Sequence, residues 1–484
     1  MAKYFPVYET RVGPQVISFL CHVDVRTLHS SFDSLRLDML RTGYIPFLRK
    51  EAGEFIIHVQ KKPAARYRGI QVNATLLVIT ILTTTFAGMV LWASYDRIGL
   101  FSVNSVLYGS LFFAFPLLLI LGTHEMGHYL MARRHKVSAS LPFFIPSIPP
   151  LGTFGAVISM REPIPDKRAL LDIGIAGPLS GLATTVPIAT MGLWLTNLGA
   201  RTVSVAEQAG ALVPSFPLLY EIIGLFVPVQ AGVLLHPLAF AGWVGFFVTA
   251  LNLLPAGQFD GGHVARALLG EKARYLSYAV IAALFMFSFF YFGWAIIAIL
   301  MVFIGLRHPP PLNDFTPLDF KRRFVGGFTV FVFILTFVLI PIQEIPAEYD
   351  FEFRDFTNQT EAIVMVNTTT SNMTCVDVPS GRNCTYNFIM NNTGNMNLNI
   401  TLEATVAWSE MAAWLAFPDI PEIEPNSTVN LILNASSNVT VSLVLFFPTD
   451  PTPIGNYKTQ VIGSIINVPV RQDKQLEIWV DVGP

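Results

Sequence analysis

The residues best suited to chemistry lie in the pentapeptide HEMGH at positions 124–128. On an α-helix, side chains at positions i and i+4 share one face, so the imidazoles of His124 and His128 can reach one metal ion. Glu125 follows the first histidine and can act as a base toward a water molecule bound beside it. The pentapeptide lies in the apolar stretch 104–132, where ionisable side chains are costly and mark function. This context disfavours the alternative of two core histidines bonded to the backbone.

A catalytic zinc ion takes three protein ligands and keeps a further position for water. Asp260 is the best candidate for the third ligand because it follows the apolar stretch 237–255 and is flanked by glycines that permit close backbone approach. His236 is disfavoured because it starts that stretch, at the opposite end. His263 is an alternate ligand, with a supporting or surface role as its competing interpretation. We therefore predict one zinc ion per chain, held by His124, His128 and Asp260.

Composition indicates a membrane protein. Of 484 residues, 52% are hydrophobic and 13% are charged, about half the charged share of soluble domains. The net charge is near zero, so no nucleic-acid partner is expected. A membrane span needs about 20 apolar residues. Suitable stretches are 73–94, 104–132, 169–195, 237–255, 275–306 and 324–342. The stretch 275–306 is long enough to turn near residue 292 and cross the membrane twice. The sequence thus predicts about seven transmembrane helices.

Basic residues set the expected orientation, because Lys and Arg are enriched on the cytoplasmic side of short loops. With residues 1–69 inside, the basic segments 133–136 and 321–323 are also inside when the stretch 275–306 crosses twice. Residues 1–20 have no apolar core after a basic start, so the first internal span is expected to direct insertion. We therefore predict a multi-pass protein of the cell membrane with a cytoplasmic N-terminus and an extracytoplasmic C-terminal domain.

Three domains follow: a small α+β domain at 1–69, a transmembrane domain at 70–343 and a β-sandwich at 344–484. The N-terminal pattern reads strand, strand, helix, strand. Short alternating segments in the acidic tail indicate a sandwich of immunoglobulin-like type. Cys375 and Cys384 flank a turn and could form a disulfide in an oxidising compartment. Between residues 358 and 438, nine Asn-x-Ser/Thr sequons predict N-glycosylation at Asn358, Asn367, Asn372, Asn383, Asn391, Asn399, Asn426, Asn434 and Asn438.

HEMGH on one span, followed by Asn-x-x-Pro-x-x-x-x-Asp-Gly-Gly at 252–262, resembles the paired signature of site-2 proteases. The resemblance covers residues 104–272. It implies zinc ligation by His124, His128 and Asp260, with Glu125 as the catalytic base. It further implies that Asn252 and Pro255 hold substrate or support the site, and that Phe154 and Gly155 lie in a re-entrant, β-like segment that receives the substrate strand. The N-terminal domain is similar to that of archaeal members and their plastid relatives.

The function that this resemblance implies is zinc-dependent hydrolysis of peptide bonds within transmembrane helices of membrane-anchored substrates, as in regulated intramembrane proteolysis. One alternative is a catalytically silent scaffold or chaperone of the same fold, which a Glu125 variant would distinguish. Another is a transporter or receptor whose buried histidines relay ions, which metal content would distinguish. A prenyl-peptide protease would need a downstream glutamate ligand on a helix, and the sequence offers no good candidate. The sequence leaves the substrate and the oligomeric state open.

Overall fold

Two compact units make up the chain in the computed structural model, one formed by Met1–Thr202 with Pro214–Ile342, and the other by Val203–Val213 with Gln343–Pro484. The residues that the structure describes are 1–24, 26–62, 70–202, 211–230, 233–305, 309–354, 363–367, 373–378, 381–406, 412–416, 428–448, 455–468 and 472–482. The first unit holds the N-terminal domain and the helices with the candidate site. The predicted division into three domains stays a prediction.

The N-terminal domain is a four-stranded antiparallel sheet with one helix. Its elements are β1 (Val7–Val12), β2 (Val16–Cys21), α1 (Leu28–Arg41), β3 (Tyr44–Glu51) and β4 (Glu54–Lys61), and the strand order is β1-β2-β4-β3. Phe32 and Leu35 of α1 are buried against the sheet. The sequence pattern did not show β3, because Pro46 interrupts the strand and its end is charged. Ala52 and Gly53, both at positive φ, form the tight turn that pairs β3 with β4.

Helices dominate the rest of the first unit. They are α2 (Ile70–Asp96), α3 (Val103–Gly109), a π-helical turn (Ser110–Ala114), α4 (Phe115–Arg134), α5 (Lys167–Gly199), α6 (Leu218–Phe226), α7 (Pro237–Asn252), α8 (Asp260–Leu269), a 3-10 turn (Gly270–Lys272), α9 (Ala273–Phe287), α10 (Gly293–Ile304) and α11 (Phe320–Thr336). Within the described residues, three helical stretches are long and apolar enough to cross a membrane: Gln71–Asp96, Val103–Arg134 and Lys167–Gly199. Helices α7 and α10 are apolar but shorter. Each predicted span contains a helix, and the count of seven crossings stays a prediction.

A β-hairpin separates α4 from α5. It consists of β5 (Phe143–Pro146) and β6 (Thr153–Val157), paired antiparallel with an irregularity between Ile145 and Pro146. The hairpin falls in the segment for which a β-like structure was expected. A second two-stranded ribbon joins β7 (Leu212–Pro214) to β8 (Ile342–Glu344).

The second unit is built from two sheets around a common core. Its strands are β9 (Phe351–Arg354), β10 (Ile363–Asn367), β11 (Met373–Val378), β12 (Gly381–Asn392), β13 (Leu398–Val406), β14 (Ala412–Ala416), β15 (Val429–Leu433), β16 (Asn438–Pro448), β17 (Gly455–Ile465) and β18 (Gln472–Val482). One sheet has the order β10-β18-β17-β13-β15, and the other has β11-β12-β16-β14 with β9 beside β12. Alternate residues such as Phe388, Ile400 and Leu443 are buried in one cluster that both sheets share. The alternation therefore predicted sheets correctly, while an immunoglobulin-like topology stays a prediction.

The sequons and cysteines of this unit are only partly described. Asn399, Asn434 and Asn438 are exposed, and Asn391 is half-buried with its amide donating to Glu352. Asn367 and Asn383 lie on β10 and β12, while Asn358, Asn372 and Asn426 lie outside the described residues. The backbone of Cys375 on β11 lies directly opposite Cys384 on β12, which is disulfide-bonded, whereas Cys21 is free.

Asp166 links the N-terminal domain to the start of α5. Its Oδ1 accepts a hydrogen bond from the Ala169 amide at 2.9 Å and thereby caps the helix, and its Oδ2 accepts one from His29 Nδ1 of α1 at 2.7 Å. Burial alone would raise the pKa of Asp166, but the bonds from His29 and Ala169 outweigh it and hold the pKa below its ordinary value. The ionised carboxylate therefore stabilises the fold.

Asp166→Asn is expected to lower the free energy of unfolding by about 1–3 kcal/mol, because a neutral amide cannot form the charge-assisted pairing with His29 and caps the helix without a negative charge. The folded-state pKa of Asp166 is depressed, so its contribution is present above the unfolded pKa and is lost as pH falls through the folded value. Thermal unfolding from about pH 7 to about pH 3 should show a shallower acid-side decline in the variant. The control is Glu271→Gln, which removes a carboxylate at an exposed position of the 3-10 turn. Equal acid dependence in Asp166→Asn and wild type would contradict this account.

Candidate metal centre

The HEMGH segment lies in the second half of α4, and its three functional side chains are buried. His124, Glu125 and His128 are 5%, 7% and 6% exposed. The helical spacing brings His124 Nε2 to 3.2 Å from His128 Nε2. Two imidazole nitrogens this close and turned toward each other form half of a metal site, as the spacing predicted.

Asp260 completes the cluster from the first turn of α8. Its Oδ2 lies 3.1 Å from His124 Nε2 and 3.1 Å from His128 Nε2. The amino end of a helix favours a carboxylate electrostatically. The following glycines allow the close approach: a Cβ on Gly261 would lie 2.1 Å from the Leu253 carbonyl oxygen, and one on Gly262 would lie 2.3 Å from the Gly257 carbonyl oxygen. The Asp-Gly-Gly sequence therefore fits because only glycine can pack against the α7–α8 loop there.

Helix α5 fixes the orientation of His128. The Nδ1 atom of His128 lies 2.7 Å from the carbonyl oxygen of Ile173. A carbonyl oxygen only accepts hydrogen bonds, so Nδ1 carries a proton, and in the neutral imidazole Nε2 then keeps its lone pair. That lone pair is directed at Asp260 and His124, where a cation would sit. Sequence reasoning missed Ile173, because a main-chain acceptor leaves no signature in residue type.

Small residues let α4 and α5 approach each other at this point. A Cβ on Gly177 would lie 2.0 Å from His128 Nε2, and one on Gly181 would lie 3.2 Å from His124 Nδ1. On the other helix, a Cβ on Gly127 would lie 2.5 Å from the carbonyl oxygen of Ala176. These three glycines thus leave the space that the metal ligands occupy.

The donor set fits zinc. The ligand atoms of His124, His128 and Asp260 all lie within 4.8 Å of one another. Two imidazole nitrogens and one carboxylate oxygen are among the common sets of three protein ligands for a catalytic zinc, which leaves a position for water. These residues would hold one zinc ion per chain.

The two other candidate histidines have different partners. His263 Nδ1 donates to the carbonyl oxygen of Phe259 at 3.0 Å, one turn back on α8, and His263 is not among the three clustered ligands. His236 caps α7, where its Nδ1 accepts from the Leu238 amide at 3.1 Å, and it packs edge-on against Trp92 and Phe112. Neither geometry supports a role for these histidines as the third ligand.

The remaining predicted residues lie around this cluster. Asn252, at the end of α7, places its amide nitrogen 3.3 Å from His124 Nε2, and Pro255 lies in the loop between α7 and α8. On β6, Phe154 is 81% exposed, and Gly155 has φ +108° with open space where a side chain would be. The Ile158 backbone, just after β6, lies near the Glu125 carboxylate. The hairpin therefore reaches the site.

Gly177→Ala is expected to abolish tight zinc binding, since its Cβ would overlap His128 Nε2 and force the imidazole out of position. The measurement is the zinc content of purified protein after dialysis against a weak chelator. The matched control is Gly327→Ala on α11, where a Cβ meets nothing within 4 Å. Full zinc content in a folded Gly177→Ala variant would refute this assignment of the site.

Comparison with known proteins agrees with this centre. The model of peptidase family M50 matches residues 112–296, which include all three ligands. The chain is 34% identical over 245 residues to a protein of Oryza sativa subsp. japonica named probable zinc metalloprotease EGY1, chloroplastic, covering 49% of this chain and 41% of that protein. The Arabidopsis thaliana protein of the same name is 33% identical, with 49% and 43% covered. The Arabidopsis EGY2 protein is 29% identical over 232 residues, with 46% and 40% covered.

The chain thus spans about two fifths of the length of these relatives. The matched region contains α4, α5 and α8, the helices that build the metal centre. The chain therefore carries a peptidase family M50 domain and is homologous to the EGY zinc metalloproteases.

Proposed function

We propose that this protein is a zinc-dependent endopeptidase that cleaves membrane-anchored proteins within their transmembrane helices. The observation that carries the proposal is the convergence of His124, His128 and Asp260 beside Glu125 on helices that are apolar elsewhere. The M50 domain and the metalloprotease names of the relatives support peptide hydrolysis. The apolar length of α2, of α3 with α4, and of α5 supports a membrane setting for the reaction.

Each residue has a defined task in this reaction. Zinc, when bound, supplies Lewis-acid chemistry and lowers the pKa of water at the site. Glu125 adjoins the ligand cluster and accepts the proton of the attacking water, then delivers it to the leaving amine. The Asn252 amide can donate to the substrate carbonyl next to His124. The free edge at Phe154 and Gly155 can pair with substrate backbone, which must leave its helix before it is cut.

Topology and accessory features extend the proposal. Residues 1–69 lie in the cytoplasm and residues 344–484 lie outside the cell membrane, where exposed sequons such as Asn399 can be glycosylated. The facing backbones of Cys375 and Cys384 support a disulfide across β11 and β12. Substrates are membrane-anchored proteins, and the lipid bilayer surrounds the helices. Cleavage belongs to regulated intramembrane proteolysis, with one zinc ion per chain.

Cleavage of a single-span substrate in liposomes tests the proposal. The wild-type protein is expected to cleave this substrate, and cleavage should stop when the zinc chelator phenanthroline is added. Glu125→Gln is expected to keep its zinc but lose at least about a hundredfold in kcat, because it cannot transfer the proton. Glu221→Gln, a surface change on α6, is the matched control.

A zinc-loaded wild type that cleaves none of several such substrates would favour the alternative of a silent scaffold of the same fold. Cleavage by Glu125→Gln at the wild-type rate would remove Glu125 from the mechanism.

A further inference from the structure

The C-terminal end of the HEMGH helix has an unusual termination. Lys136 has φ +54°, the left-handed conformation usually taken by glycine. Its amide donates to the Arg133 carbonyl at 3.0 Å, and the Val137 amide donates to the Ala132 carbonyl at 2.9 Å, which together form a Schellman motif. The carbonyl oxygens of His135 and Lys136 then point beyond the helix and need donors from elsewhere.

Arg36 of the N-terminal domain supplies those donors. Its side chain is 0% exposed. The guanidinium donates from Nη2 to the His135 carbonyl and from Nη1 to the Lys136 carbonyl, each at 3.3 Å. Nε and Nη2 also donate to Asp33 Oδ1, at 3.1 and 2.7 Å. A buried arginine whose hydrogen bonds are shared between its own helix and the end of α4 joins the two elements at one point.

Further polar contacts converge on the same helix end. His135 Nε2 lies 2.9 Å from Asp172 Oδ2 on α5, and Arg322 Nη2 on α11 lies 2.7 Å from the same oxygen. Lys136 Nζ lies 3.9 Å from Asp33 Oδ2. The helix that presents both zinc-binding histidines is therefore tied at its end to α1, α5 and α11.

We infer that the N-terminal domain holds the end of the HEMGH helix in position for catalysis and that Arg36 is the positioning residue that does so. The inference rests on the proposed protease function. His135 follows His128 by seven residues, or about 10 Å along a helix, so a shift at the helix end moves the ligands. Displacements of about 1 Å can cost two orders of magnitude in catalytic rate. Arg36 acts through the main chain of residues 135 and 136 and does not touch the reacting atoms.

The test compares three variants of the full-length protein. Arg36→Met removes the donors, Arg36→Lys keeps the charge without the planar fork, and Arg41→Met changes an arginine on the same helix whose side chain is 82% exposed. For each variant, kcat and KM are measured on the single-span substrate, and amide hydrogen exchange is followed at residues 133–137.

Arg36→Met is expected to lose at least about tenfold in kcat, with KM changed by less than about twofold, because substrate contacts are untouched. Exchange at Lys136 and Val137 should accelerate. Arg36→Lys should fall between this variant and wild type, and Arg41→Met should match wild type in both readouts.

Wild-type kcat and wild-type protection at Val137 in folded Arg36→Met would overturn the inference. If Arg36→Met does not fold, wild-type kcat together with wild-type protection at Val137 in Arg36→Lys would overturn the inference. If wild type cleaves no substrate, the proposed function fails, while exchange at Val137 still decides whether Arg36 holds the helix end.

Discussion

The close approach of α4, α5 and α8 around buried polar groups is the constraint on which the site depends. Two imidazoles and two carboxylates lie among apolar side chains, where unpaired polar groups are expensive. They are tolerated because they bind one another and the backbone: His128 to Ile173, and Asp260 to both histidines. Glycine makes this geometry possible, since a side chain at Gly177 would occupy the volume of the His128 ring. A zinc ion would replace mutual contacts of the ligands with a shared positive charge.

The surrounding elements hold the helices of the site at their ends, away from the metal ligands. Asp166 fixes the start of α5 and joins it to His29 of the N-terminal domain. Arg36 closes the end of α4, and Asp172 ties that end to α11 through Arg322. The hairpin β5–β6 contacts α4 through β6, and Gly155 on this strand has open space where a side chain would be. The ligands are thus positioned by rigid helices, while the surface that would meet a substrate lies on a short, exposed strand.

Sequence alone identified the parts of this molecule that depend on local pattern. HEMGH places two imidazoles on one helical face whatever surrounds it, and Asp260 stands out because glycines flank it after an apolar stretch. Apolar length located the long helices of the first unit, and alternation found several strands of the second unit. Among the elements that the pattern missed are β3, β17, α6 and the π-helical turn before α4, whose residues are too mixed in character or too few to give a clear period. It also missed Ile173 and Arg36, because each acts through main-chain atoms that only the folded chain brings together.

Zinc-edge X-ray absorption on the purified protein, combined with metal analysis, would show directly whether His124, His128 and Asp260 hold zinc. We expect one zinc per chain, bound by two imidazole nitrogens and light oxygen or nitrogen ligands, with no sulfur. Asp260→Ala should lose one oxygen ligand or the metal itself. A protein that binds no stoichiometric zinc, a spectrum with sulfur ligands, or an Asp260→Ala spectrum identical to wild type would contradict the account.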